Sequence, residues 1–205
     1  MKAIPRLLVA TALFATPVLL PAFAQTATET TYFPPQGFAS HLASGATLHL
    51  HLHDGDFRVI GTDSDKISIH VAGRNAELAK NIKIRLDRTD GSVDLKLSHV
   101  PKNELQVTIE IPKSTNLIAR MRGGDLSVQG ITGDKDLELG AGDLTVQVGD
   151  PADYSSVDLS VTVGDVSGDQ FGDPKGWLSK SIHKTGTGKY RLHAHVMAGD
   201  LQLKS

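Results

Sequence analysis

The sequence predicts an all-β protein, a β-solenoid or β-roll-like stack of short strands, and three features carry that prediction. Aliphatic side chains recur at every second position over most of the chain. A Gly-Asp-apolar triplet recurs as Gly55-Asp56-Phe57, Gly124-Asp125-Leu126, Gly142-Asp143-Leu144, Gly164-Asp165-Val166 and Gly199-Asp200-Leu201. Each triplet joins a residue tolerant of positive φ, a short turn-former and the first inward residue of a strand. Glycine punctuation then becomes dense after Met121, with Gly-Asp sites 18 and 22 residues apart at positions 124, 142 and 164. A repeat near 20 residues holding two strands is what a solenoid produces. A two-sheet sandwich is the alternative, because antiparallel hairpins give the same alternation.

The elements follow in chain order. Residues 1–24 read as an export signal: Lys2 and Arg6 precede an apolar run from Leu7 to Leu20, and Ala22-Phe23-Ala24 supplies small residues for cleavage between Ala24 and Gln25. That run falls short of the roughly 20 residues needed to span a bilayer, and no later segment approaches it. The mature chain is therefore expected to be exported, periplasmic or extracellular, with no transmembrane segment. Residues 25–45 form an extended or disordered lead-in containing Pro34-Pro35, and residues 46–205 form one β-repeat domain.

Within that domain, Leu48, Leu50 and Leu52 alternate with His49, His51 and His53, and Ile67, Ile69 and Val71 alternate with polar residues. Ile82, Ile84, Leu86 and Val93, Leu95, Leu97 flank a Thr89-Asp90-Gly91 turn, which predicts a hairpin. Leu105, Val107, Ile109 and Ile111 form a strand ended by Pro112, and only Asn75 to Lys80 reads as a helical turn. Beyond Met121 come the short pairs Leu126/Val128, Leu137/Leu139, Leu144/Val146/Val148 and Val157 to Val163. A 35-residue interval then separates Gly164 from Gly199, and its insertion contains Phe171, Pro174 and Trp177. Trp177 is expected to plug the open end of the stack, which needs covering, with a carbohydrate or partner contact on the insertion as the alternative.

These triplets, in RGGDLSVQGITGDKDLELGAGDLTVQV (122–148), VGDVSG (163–168) and MAGDLQLKS (197–205), resemble those of the bacterial putative adhesin family, a β-repeat group of uncharacterised function. The resemblance extends to LHLHLHDGDFRVIGTDSDKISIHV and LQVTIEIPKSTNLIARM, and so covers roughly Ala46 to Ser205. It implies an exported β-repeat module with an adhesin-like role. It brings no functional residue with it.

Composition narrows the function classes. Removal of the first 24 of 205 residues leaves 181, with 23 acidic against 19 basic side chains and no cysteine. There is no basic stripe for nucleic acid and no means of forming a disulfide. No cofactor is expected. His49, His51 and His53 share one strand face, and imidazoles at that spacing suit a zinc or copper ion, with His193/His195 as a second His-x-His pair. The competing reading makes them the solvated face opposite the leucines.

Asp125, Asp143, Asp165 and Asp200 read either as calcium ligands or as turn carboxylates accepting backbone N–H groups. The missing third glycine of the calcium β-roll repeat favours turns. No nucleophile elbow or zinc-protease motif is present, and Gly186-Thr187-Gly188-Lys189 lacks the first glycine and the hydroxyl of a phosphate loop. The leading expectation is thus a noncatalytic exported binding or structural module whose partner is an envelope protein or glycan. A periplasmic metal-binding protein comes second, and a small carbohydrate-active enzyme third.

Overall fold

The structure, a computed structural model, describes residues 27–34, 37–101 and 104–205. The expected signal segment, residues 1–24, lies outside the described residues. Fifteen strands account for most of the rest. They begin with β1 (Ala27–Tyr32), β2 (Phe38–His41), β3 (Thr47–Thr62), β4 (Lys66–Gly73), β5 (Lys83–Thr89), β6 (Ser92–Ser98) and β7 (Leu105–Pro112). They continue with β8 (Asn116–Gln129), β9 (Lys135–Ala141), β10 (Leu144–Gln147), β11 (Tyr154–Val163), β12 (Val166–Ser167), β13 (Lys180–Thr185), β14 (Tyr190–Ala198) and β15 (Leu201–Lys204). The helical turn expected after Asn75 is a 3₁₀ turn at Ala76–Asn81.

The strands form a two-legged parallel coil. In the first leg the order is β1-β5-β6-β3-β8-β9-β14-β11-β13, with β6 through β11 parallel to one another and β1, β5 and β13 antiparallel at the edges. In the second leg β7, β3, β8, β10, β15 and β12 run parallel, with β4 and β2 added antiparallel beyond β7. Strands β3 and β8 belong to both legs, bending at Gly55 and Gly124. In the other rungs the chain breaks at the Gly-Asp corner, so that β9/β10, β14/β15 and β11/β12 are separate strands. Parallel neighbours need a crossover. Here the second leg and a five-residue return at 130–134 supply it.

The Gly-Asp corner has a definite structural task. A buried residue of the first leg is followed, five positions on, by the first buried residue of the second leg. This holds for Leu52/Phe57, Met121/Leu126, Leu139/Leu144, Val161/Val166 and Val196/Leu201. An odd interval reverses the in–out alternation as the strand turns, as a bulge does. Both legs therefore direct their aliphatic side chains into one continuous core. The corner glycines stack rung on rung, so that a Cβ on Gly142 would lie 2.1 Å from the carbonyl oxygen of Gly124. The aspartates stitch the rungs together: Asp165 N–H donates to Asp200 Oδ1 (2.9 Å) and Asp200 N–H to Asp143 Oδ1 (3.3 Å). This is the turn reading of the aspartates, with the accepted N–H coming from the next rung rather than from the same turn.

Rung order departs from chain order. Register places Leu117 beside Lys135 and Leu126 beside Leu144, a coil of 18 residues. The next rung in space is the carboxy-terminal one, because β14 lies between β9 and β11 and β15 lies between β10 and β12. The chain leaves a slot after β9/β10, builds the outermost rung with β11/β12, passes through β13 on the edge, and returns to fill the slot. The lead-in likewise supplies strands, with β1 on β5 and β2 on β4.

Trp177 is not the plug. Its side chain is 95% exposed, with Leu178 also exposed, at the tip of a loop closed by the Lys175–Ser181 bridge. Phe171 takes the buried position instead, edge-on to the Tyr154 ring with centroids 5.9 Å apart. The bridge pairs Lys175 and Ser181 through two backbone hydrogen bonds, of 2.8 and 2.9 Å. Replacing Trp177 by Ala should therefore change stability by less than about 0.5 kcal/mol. Phe171→Ala should remove about 3 kcal/mol. Urea unfolding followed by circular dichroism measures both, and a large loss for Trp177→Ala would restore the plug.

Candidate functional site

The outer face of the first leg concentrates the chain's titratable groups. Alternation along parallel strands sends every second side chain outward, and in-register pairing aligns these side chains in straight rows across the rungs. One row runs His49, Ile118, Asp136, His193, Asp158, His183. The next runs His51, Arg120, Glu138, His195, Ser160. A third places His53 beside Arg122, followed by Gly140 and Met197. Six of the nine histidines lie on this face. Over β3, β8, β10 and β15, the outer face of the second leg presents mostly uncharged side chains, Ser127, Gln129, Thr145, Gln147 and Gln202, with Arg58 beside Ser127 and Lys204 beside Gln147 as its charged groups.

His49, His51 and His53 project together, as the strand alternation requires. Their neighbours on β8 include two cations, Arg120 beside His51 and Arg122 beside His53. His51 Nε2 lies 3.5 Å from Asp94 Oδ1 on β6. His195 Nδ1 is 2.8 Å from Ser160 Oγ. Asp158 accepts a hydrogen bond from Ser156 Oγ (2.8 Å) and pairs with His183 Nδ1. Burial alone would raise the Asp158 carboxyl, but those two bonds and the charges of His183 and His193 hold it below the usual aspartate range.

The tightest arrangement lies between β9 and β14. Arg120 reaches over β9, donating from Nη2 to Asp136 Oδ2 (2.9 Å) and from Nε to Glu138 Oε2 (3.1 Å), with Nη1 donating to the Asp136 carbonyl (2.9 Å). Among the described residues, Asp136, Glu138 and His193 are the one group of three whose ligand atoms all lie within 4.8 Å of one another. Asp136 Oδ1 is buried and accepts no hydrogen bond. Asp136, Asp158 and His193 also line a groove of about 530 Å³ with Ile118, whose rim holds the Arg191–Asp134 pair at 3.1 Å. The sequence marks His193 and His195 by their spacing. It gives no sign that Asp136 and Glu138 face them, because that contact exists only once β14 is inserted beside β9.

No protein-family model matches the chain, and no curated protein does. Solved structures do. One is described as a putative cell adhesion protein from Clostridium sporogenes ATCC 15579, with 16% identity over 88% of this chain and 99% of that one, at a TM-score of 0.51. Another, a putative adhesin from Bacteroides fragilis NCTC 9343, shares 9% identity over 88% and 97% of the two chains at a TM-score of 0.27. The first likeness is one of fold.

Proposed function

We propose that the chain is an exported, noncatalytic binding module of the bacterial envelope or cell surface, adhesin-like, whose contact surface is the outer face of the first leg. The observation that carries this reading is the asymmetry of the two outer faces. One presents rows of imidazole, guanidinium and carboxylate groups at the spacing of parallel strands, roughly 4.8 Å. The other is dominated by Ser, Thr and Gln, with Arg58 and Lys204 as isolated cations and no histidine on β8, β10 or β15. A rigid lattice of this kind loses little conformational freedom when it engages a repetitive polar partner such as an envelope glycan or an extended protein segment. The likeness of fold to a protein described as a putative cell adhesion protein supports the same reading.

The test is direct binding of the purified protein to immobilised peptidoglycan, envelope polysaccharide and solubilised envelope protein. Arg122→Glu combined with Lys96→Glu reverses two charges on the proposed face. The pair should weaken binding about tenfold, equivalent to about 1.4 kcal/mol. Gln147→Glu with Gln202→Glu adds charge to the opposite face and should leave binding unchanged. Equal effects of the two pairs would remove the assignment of the contact face.

A further inference from the structure

We propose that Asp136, Glu138 and His193 form a surface site for a divalent transition-metal ion of the zinc class. Asp136 and Glu138 sit two positions apart on β9 and so share its outer face, while parallel register sets His193 directly beside Asp136. Their ligand atoms already lie within 4.8 Å of one another. Zinc is bound by imidazole nitrogen and carboxylate oxygen at about 2.0–2.2 Å, so modest side-chain rotations bring all three onto one ion. One imidazole with two carboxylates suits zinc, cobalt or nickel, whereas calcium takes oxygen ligands alone. Water completes the coordination shell, since Glu138 and His193 are exposed.

Two further features point the same way. Asp136 Oδ1 is buried without a hydrogen-bond donor, leaving an acceptor that a cation would satisfy. Asp158 lies in register on the far side of His193, where a carboxylate beside a ligating histidine orients the ring and raises its basicity. Arg120 limits the affinity. Its guanidinium holds Asp136 Oδ2 and Glu138 Oε2, the same two carboxylates the ion would use. The three β3 histidines have Arg120 and Arg122 beside them and gain no carboxylate partner from β8.

The experiment is calorimetric titration of the purified protein with zinc chloride, repeated with cobalt, whose absorption spectrum reports coordination. One ion per chain is expected. His193→Ala and Glu138→Ala should each weaken zinc binding at least about tenfold. Arg120→Gln should strengthen it by releasing the carboxylates. Combined His49→Ala, His51→Ala and His53→Ala should leave it within about twofold, the scatter expected of groups outside the ligand set. Absence of stoichiometric binding overturns the proposal, as does binding that survives His193→Ala or is lost only in the triple variant. All these side chains lie on the outer face of the sheet, so matched melting curves exclude misfolding as the cause. No partner is present in the titration, so its failure leaves the proposed contact face untouched.

Discussion

Substitution of Gly199 by Ala should lower the stability of the fold by about 3–5 kcal/mol, combining left-handed strain with a clash against backbone. Gly199 has φ of +135°, and a Cβ there would lie 2.0 Å from the carbonyl oxygen of Gly142. That oxygen belongs to the neighbouring rung, whose own corner is fixed by the Gly124 carbonyl beyond it. No flexible side chain can yield, so relief requires the rungs to separate and weakens the ladder bonds Leu144 N–H to Asp200 O and Leu201 N–H to Asp165 O, both 2.8 Å. For a domain of this size the loss corresponds to a fall in Tm of roughly 10 °C. Gly45→Ala is the matched control. Gly45 also has positive φ, +76°, but nothing lies within 4 Å of its hypothetical Cβ, so only about 1–2 kcal/mol is expected. Thermal melts of the two variants decide the point. Equal losses would mean that corner stacking adds nothing to backbone preference.

That contrast shows what was legible in the sequence. Strand positions and faces were, because a half-buried strand imposes a period of two that only sequence composition can satisfy. The corner was legible as a turn at a strand entry, since glycine and a short polar turn-former precede an apolar residue at each site, whereas the reversal of face emerges from the burial of both legs. The order of the rungs was not. The intervals of 18, 22 and 35 residues suggest one repeat progressing along an axis with a late insertion. In the structure the interval of 18 is one coil, while those of 22 and 35 are the chain skipping a slot and coming back to it. Nothing local distinguishes β14 from a final rung, because its inward residues Leu192, Ala194 and Val196 suit an interior position and an outer one equally. The meeting of Asp136 and Glu138 with His193 follows from that insertion alone. Trp177 departs from expectation for a related reason: large aromatic residues usually cover exposed core, but here Phe171 holds the buried position against the Tyr154 ring.

Among the described residues Lys135 is the one buried cation in the core, and it should make stability depend on pH in the alkaline range. Its side chain is 2% exposed at the start of β9, where the sequence places a lysine at an inward position. Nζ donates to the Gly133 carbonyl and to Tyr154 Oη, both at 3.0 Å, and lies 5.0 Å from the centre of the Tyr154 ring. Burial lowers its pKa from 10.5 to about 8, against the opposing pull of Asp134 and Asp153. Below pH 8 the ammonium is charged in both folded and unfolded chains, and the penalty for burying it is fully present. Between pH 8 and 10.5 the folded state releases the proton while the unfolded state keeps it. Stability therefore rises through that window, by about 3 kcal/mol in all. Tyr154 acts in the opposite sense. Burial, with Asp153, raises its hydroxyl from 10.0 to about 12, so the folded state keeps a proton that the unfolded state loses, and stability falls between pH 10 and 12. The pair thus predicts a local maximum of stability near pH 10. Lys135→Met preserves the buried methylenes and abolishes the rise, while Tyr154→Phe abolishes the later fall. At pH 7 the Met variant removes a buried charge but leaves the Gly133 carbonyl and Tyr154 hydroxyl without their donor, an opposing penalty of about 1–3 kcal/mol. The difference in urea stability between wild type and Lys135→Met, followed from pH 7 to 10.5, isolates the effect from the many exposed lysines common to both. A difference that stays flat across that range would place the Lys135 ammonium in contact with water.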